Sequence, residues 1–145
     1  MRAVVQRVSR ACVVVDGATV GQIGEGLVVL LGVARSDNDE DAERMARKLA
    51  RLRILEGDNG KFDRSLLDTG GGALVVSQFT LIAETRKGNR PSFTDAAPAD
   101  HAEPLYERCC AELAALGVPV ERGVFGARME VEIVNDGPVT IVLDG

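Results

Sequence analysis

The sequence predicts one α/β domain spanning residues 1–145, on three observations. A chain of 145 residues suits a single hydrophobic core. Val-rich runs at its start, centre and end read as strands. Two segments between them repeat apolar residues at helical spacing. Hydrophobic residues make up 46% and charged residues 27%, an ordinary globular composition; with 3% aromatics and no Trp, the core falls to Val, Leu, Ile and Ala.

Residues 2–15 read as a long first strand. Arg7 shares the parity of Ala3, Val5, Ala11 and Val13, so it either points inward and needs a partner or reaches water across a bulge. Asp16-Gly17 signals a two-residue hairpin into a strand over 18–23. Gly24-Glu25-Gly26 turns the chain into a third strand, 27–33. Ser36-Asp37-Asn38-Asp39 offers N-caps for a helix running to about Leu55. Its apolar stripe is Ala42, Met45, Ala46, Leu49 and Leu52. Acidic Asp39, Glu40, Asp41 and Glu43 crowd its first turns, where the helix dipole favours them. Arg44, Arg47, Lys48 and Arg51 share one face, read as solvated or, as a minority alternative, as resting against phosphates.

Glu56 to Gly72 carries five glycines and reads as irregular loop. Ala73 to Leu81 reads as a buried strand. The loop Thr85 to Phe93 mixes three cations with Gly, Pro and an aromatic, a composition that suits either an ordinary surface loop or a nucleotide end. A second helix is predicted over 98–116, its start left between Pro98 and Pro104, with Gly117 as its stop. Runs 118–124, 129–134 and 139–143 close the chain as strands.

Composition removes several function classes. No apolar run reaches the ~18 residues of a membrane span, and the charges in Met1–Arg7 interrupt any signal-peptide core. Cys12, Cys109 and Cys110 are odd in number and two are adjacent, which suits a reducing cytosol rather than a disulfide framework. With His101 the only histidine and no spaced Cys pair, neither a metal nor a cofactor is expected. A formal net charge of −5 argues against coating nucleic acid by electrostatics alone and leaves room for a local basic grip.

Conventional hydrolytic constellations are missing. A Ser-His-Asp or Cys-His arrangement would have to use His101, placed early in a helix. Neither a G-x-S-x-G elbow nor a phosphate-binding G-x-x-x-x-G-K-[ST] loop is present. Asp63, Asp68, Glu84 and Asp95 show no spacing that singles out a pair. An enzyme built from this chain would work by positioning and by backbone charge stabilisation. Ser77, Gln78 and Thr80 form a polar cluster at the end of a buried strand, more than satisfying neighbouring backbone requires. Asn135-Asp136-Gly137-Pro138 is either a hairpin turn or bare backbone offered to a ligand.

Ser77-Gln78-Phe79-Thr80-Leu81 together with Asn135-Asp136-Gly137-Pro138-Val139-Thr140 resembles the motif pair of D-aminoacyl-tRNA deacylases. The similarity extends over the whole chain, including Met1 to Val8 and Lys87 to Phe93. The resemblance implies a mainly antiparallel, barrel-like sheet with two main helices. It also implies a cytoplasmic homodimer with its active site at the subunit interface, working without a metal. The substrate would be the 3′ end of aminoacyl-tRNA, not DNA, and the reaction hydrolysis of the ester to a D-amino acid. Ser77, Gln78, Phe79 and Thr80 would line the pocket. Gly137-Pro138 would enter from the partner as a cis peptide and reject L-residues by steric overlap. Glycyl-tRNA, having no side chain to reject, is expected to be cleaved too. Thr80 is expected to position rather than attack, with the terminal ribose 2′-hydroxyl assisting water. Alternatives are an editing module for L-residues, a related deacylase group with a trans Gly-Pro, and a non-catalytic RNA-end binder.

Overall fold

In the computed structural model, which describes residues 1–145, β1 (Arg2–Val15) is the strand on which the sheet is assembled. One of its edges pairs antiparallel with β2 (Ala18–Ile23) and β3 (Gly26–Gly32). The other pairs antiparallel with β8 (Glu130–Asp144) along nearly its full length. Asp16 and Gly17 both adopt positive φ, at 49° and 78°, the twist that a tight two-residue hairpin requires. Beyond β3 the sheet becomes parallel: β6 (Gly72–Ser77) lies on β3, and β7 (Val120–Arg122) on β6. β2 and β7 curl together. A Cβ on Gly21 would lie 2.6 Å from the Arg122 carbonyl oxygen, so only glycine permits this near-closure of the barrel.

The helices cover one face. α1 (Asp39–Arg51) starts in a capping box: Asp41 N–H donates to Asn38 Oδ1 at 3.1 Å, and Asn38 N–H donates to Asp41 Oδ2 at 2.9 Å. The helix stops at Arg51, before the predicted Leu55, because the next residues have partners elsewhere in the fold. The Ile54 carbonyl is taken by Arg7, and Leu55 begins β4 (Leu55–Glu56), which pairs with β5 (Phe62–Arg64). Residues 56–72 are therefore not wholly irregular; they also hold the one-turn α2 (Leu66–Thr69), capped by Ser65. α3 (Ala99–Ala115) begins after Pro98 and runs through Pro104. Pro104, in the second turn, lacks the N–H that would otherwise donate to the Asp100 carbonyl, and the helix continues past it.

Two apolar layers result. Ala3, Val5, Leu27, Val29, Leu31 and Val75 pack on α1 and α3. Tyr106 of α3 donates its hydroxyl to the Val75 carbonyl at 2.7 Å. Val8, Val13, Val28, Leu74 and Val76 face the barrel interior against Met129, Val131 and Ile133. No helix is long and apolar enough to cross a membrane.

β6 ends at Ser77 rather than Leu81, and Phe79–Leu81 forms a 3-10 turn. Its ladder runs out with its neighbour: β3 stops at Gly32, and the Gln78 N–H makes the last bond, to the Leu31 carbonyl at 2.8 Å. The two predicted C-terminal strands are halves of one, β8, since both pair with β1. The chain does not reverse at Gly137-Pro138, and the hairpin reading is corrected.

Candidate functional site

What lies between those halves is a bulge. Val8 pairs with Asn135 and Gln6 with Thr140, so Asp136 to Val139 stand opposite the single residue Arg7. Asn135 closes the neck, its Nδ2 donating to the carbonyls of Arg7 (2.8 Å) and Val139 (3.1 Å). Arg7 holds the bulge from behind. Its Nε donates to the Asp136 carbonyl at 3.1 Å and Nη1 to the Ile54 carbonyl at 3.0 Å. The carboxylates of Asp136 and Glu56 stand 3.5 Å from the guanidinium, which lies 5.6 Å from the Phe62 ring centroid. Arg7 is thus the inward arginine, buried because every direction it points offers an acceptor.

Gly137 sits at the crest with φ 145°, and a Cβ there would lie 2.6 Å from the Val139 nitrogen. The Gly137-Pro138 peptide is cis, and Asp136, Gly137 and Pro138 are exposed. Bare backbone is therefore presented outward on a doubly anchored loop.

The second feature is a cavity of about 590 Å³ where β6 ends, beside the start of α3 and the entry to β8. Its walls are mostly apolar, with Ser77 and Gln78 supplying polar groups; Phe79, Ala102, Phe125 and Met129 complete much of the lining. Phe79 is 56% exposed and meets Phe93 edge-on at 5.3 Å, which draws the loop after Thr85 to the rim. Thr80 lies outside the walls, exposed on the 3-10 turn, where its Oγ1 accepts from Gln78 Nε2 at 2.5 Å. Ser77, Gln78 and Phe79 are thus brought together and Thr80 is linked to them. Gly137 and Pro138 do not line the cavity of their own chain.

His101 and three of the four candidate carboxylates are otherwise engaged, while the Asp95 side chain forms no ion pair. The His101 ring Nε2 is 2.9 Å from the Asp37 carbonyl. Asp63 pairs with Arg53 and Glu84 with Arg86. Asp68 caps α2, and the Ser65 backbone N–H holds its carboxyl below the usual range. Phe125 and Met129 belong to the connection between β7 and β8; Phe125 carries no periodic signal, and Met129, read as the first residue of a strand, gave no sign that it lines a cavity. The small side chains of Ala97, Ala99 and Ala102, which keep the cavity open, read simply as helix and pre-helix alanines.

A family model described as D-Tyr-tRNA(Tyr) deacylase matches residues 4–144. The chain belongs to the D-Tyr-tRNA(Tyr) deacylase family. Relatives of this deacylase family include a protein of Roseiflexus castenholzii named D-aminoacyl-tRNA deacylase, 60% identical over 99% of this chain and 92% of its own. One of the same name from Deinococcus radiodurans is 58% identical over 99% of both chains. A solved structure titled c-Myc DNA Unwinding Element Binding Protein superposes with TM-score 0.95 at 44% identity, covering 100% of this chain and 99% of that one. A probable eukaryotic D-amino acid tRNA deacylase shares the fold, with TM-score 0.82 at 20% identity over 98% of this chain and 97% of its own.

Proposed function

We propose that the chain hydrolyses the ester between a D-amino acid and the 3′-terminal adenosine of tRNA. The Asn135–Val139 bulge carries this reading. A site that distinguishes hand rather than side-chain type needs a wall that contacts groups around Cα and ignores what the residue is. Backbone meets that need, and here it is held by Arg7 and Asn135 from two directions. An L-residue would drive its side chain into Gly137-Pro138, whereas a D-residue would direct it to the open side. Glycine has nothing to exclude, so glycyl-tRNA is cleaved as well.

The cavity behind Ser77, Gln78 and Phe79 takes the terminal adenosine, and the bulge that closes it comes from a second copy of the chain. Two features support a homodimer with the site at its interface. The bulge lies away from its own chain's cavity. β8, 15 residues long, pairs along only one edge and leaves the other as a template for another strand. Thr80, with no base in contact, positions the ester, and the ribose 2′-hydroxyl assists water. Such an enzyme works in the cytoplasm, where charged tRNA is used.

The name of the 44% identical solved structure suggests a second reading, binding of a DNA element. The net charge of −5 favours a grip on one nucleic-acid end over a duplex footprint. Incubation with matched D- and L-tyrosyl-tRNA tests the proposal: release of D-tyrosine alone supports it. Binding of charged tRNA without release, or binding of the DNA element in its place, overturns it.

A further inference from the structure

Outside the bulge and cavity, the solvent face of α1 and the two residues after it carry a concentration of cations. Arg44, Arg47, Lys48, Arg51 and Arg53 line a shallow depression of about 540 Å³, walled largely by their aliphatic stems, with Leu52 the one hydrophobic residue. In a chain of net charge −5, five of the 17 Lys and Arg residues thus converge on one short stretch. Arg44 is paired with Asp41 and Arg53 with Asp63. Arg47, Lys48 and Arg51 form no ion pair with any carboxylate. The helix dipole accounts for cations in the last turn. It does not account for gathering five around one depression and leaving three without partners.

The position of the depression is as informative as its charge. Directly beyond Arg53, the Ile54 carbonyl accepts from Arg7, which also donates to the Asp136 carbonyl beside Gly137. The basic face therefore ends one arginine away from the bulge. From Arg44 to Arg51 the helix rises about 10 Å, near the axial length of three nucleotides of one strand at ~3.4 Å each.

We propose that this face binds backbone phosphates of the acceptor end of the same tRNA whose 3′ ester meets the bulge, which rests on the deacylase reading above. Lys48 acts as a point charge, and Arg47 and Arg51 present planar forks to phosphate oxygens. The contacts are few and do not read bases, so they add affinity without choosing among tRNAs.

The test compares two substrates of different reach, D-tyrosyl-tRNA and the D-tyrosyl ester of adenosine. The triple variant Arg47→Ala, Lys48→Ala, Arg51→Ala changes only exposed side chains, and its melting temperature serves as the folding control. On D-tyrosyl-tRNA at low salt, kcat/KM falls by about tenfold or more, through KM. The slope of log kcat/KM against log salt becomes shallower by about 2, as expected for three lost phosphate contacts at ~0.7–0.9 each. Cleavage of the adenosine ester is unchanged. The variant Arg47→Lys, Arg51→Lys keeps the wild-type salt slope. An unaltered rate and slope on tRNA overturns the inference and leaves the deacylase reading intact. An equal loss on both substrates overturns it as well. Failure of the wild-type protein to cleave either ester removes both readings.

Discussion

Arg7 is the residue on which the site's geometry turns. It is 5% exposed, yet it satisfies two backbone carbonyls from distant segments and faces two carboxylates. Truncation would leave the Asp136 and Ile54 carbonyls without their donors. Arg7→Ala is therefore expected to destabilise the fold by roughly 3 kcal/mol, read by urea denaturation, and to lower the D-over-L preference by freeing the bulge. Thr80 is the contrasting case. Its hydroxyl touches only Gln78, with no imidazole or carboxylate in contact. Thr80→Ala should cost less than about tenfold in kcat, whereas loss of a nucleophile costs ~10⁴ or more. A single-turnover assay with binding measured separately distinguishes the two. From sequence, parity marked Arg7 as a candidate for the interior. Which acceptors it would find depends on the 135–140 and 54–56 segments, and no local pattern contains that information.

At the scale of elements, the site is a strand interrupted without being ended. The flanks of Gly137-Pro138 are legible as strand because they alternate, and the residues between them carry every turn signal. What decides against a turn is that both flanks pair with β1, a relation between segments more than 110 residues apart. The same limit explains the other misplaced boundaries. α1 ends where Arg7 takes the Ile54 carbonyl, and β6 ends where β3 ceases to offer a partner. Helix existence, the Asn38 cap region and the hairpin at Asp16-Gly17 depend on neighbours in sequence and were readable. The bulge itself gives an element-level prediction. A Cβ at Gly137 has no room beside the Val139 nitrogen, and φ 145° is strained for any other residue. Gly137→Ala should reshape the crest and reduce kcat/KM on D-tyrosyl-tRNA by about 100-fold, the scale of a 1 Å misplacement. Its circular dichroism spectrum should be unchanged.

For the molecule as a whole, stability is tied to pH on the alkaline side. Cys109 and Cys110 are fully buried on α3 against the sheet, and burial pushes their thiols up to about 12 and about 11. Burial also pushes the Tyr106 hydroxyl up. An acid whose folded pKa is raised stabilises the native state below its unfolded pKa, and that stability is lost as pH rises. Unfolding free energy should hold steady to about pH 9, the ordinary thiol value, and then fall toward pH 11. The slope is up to ~1.4 kcal/mol per pH unit for each thiol that the unfolded chain ionises first. Urea melts at pH 8, 9 and 10 read this directly, and Cys109→Ala with Cys110→Ala should flatten the slope.

On the proposed function, backbone held between two copies of the chain sorts substrates by hand. Deacylation of D-tyrosyl-tRNA, L-tyrosyl-tRNA and glycyl-tRNA by the wild-type protein is the measurement that bears on this sorting. The D-tyrosyl and glycyl esters should be cleaved while the L-tyrosyl ester survives. Comparable cleavage of D- and L-tyrosyl-tRNA would contradict it.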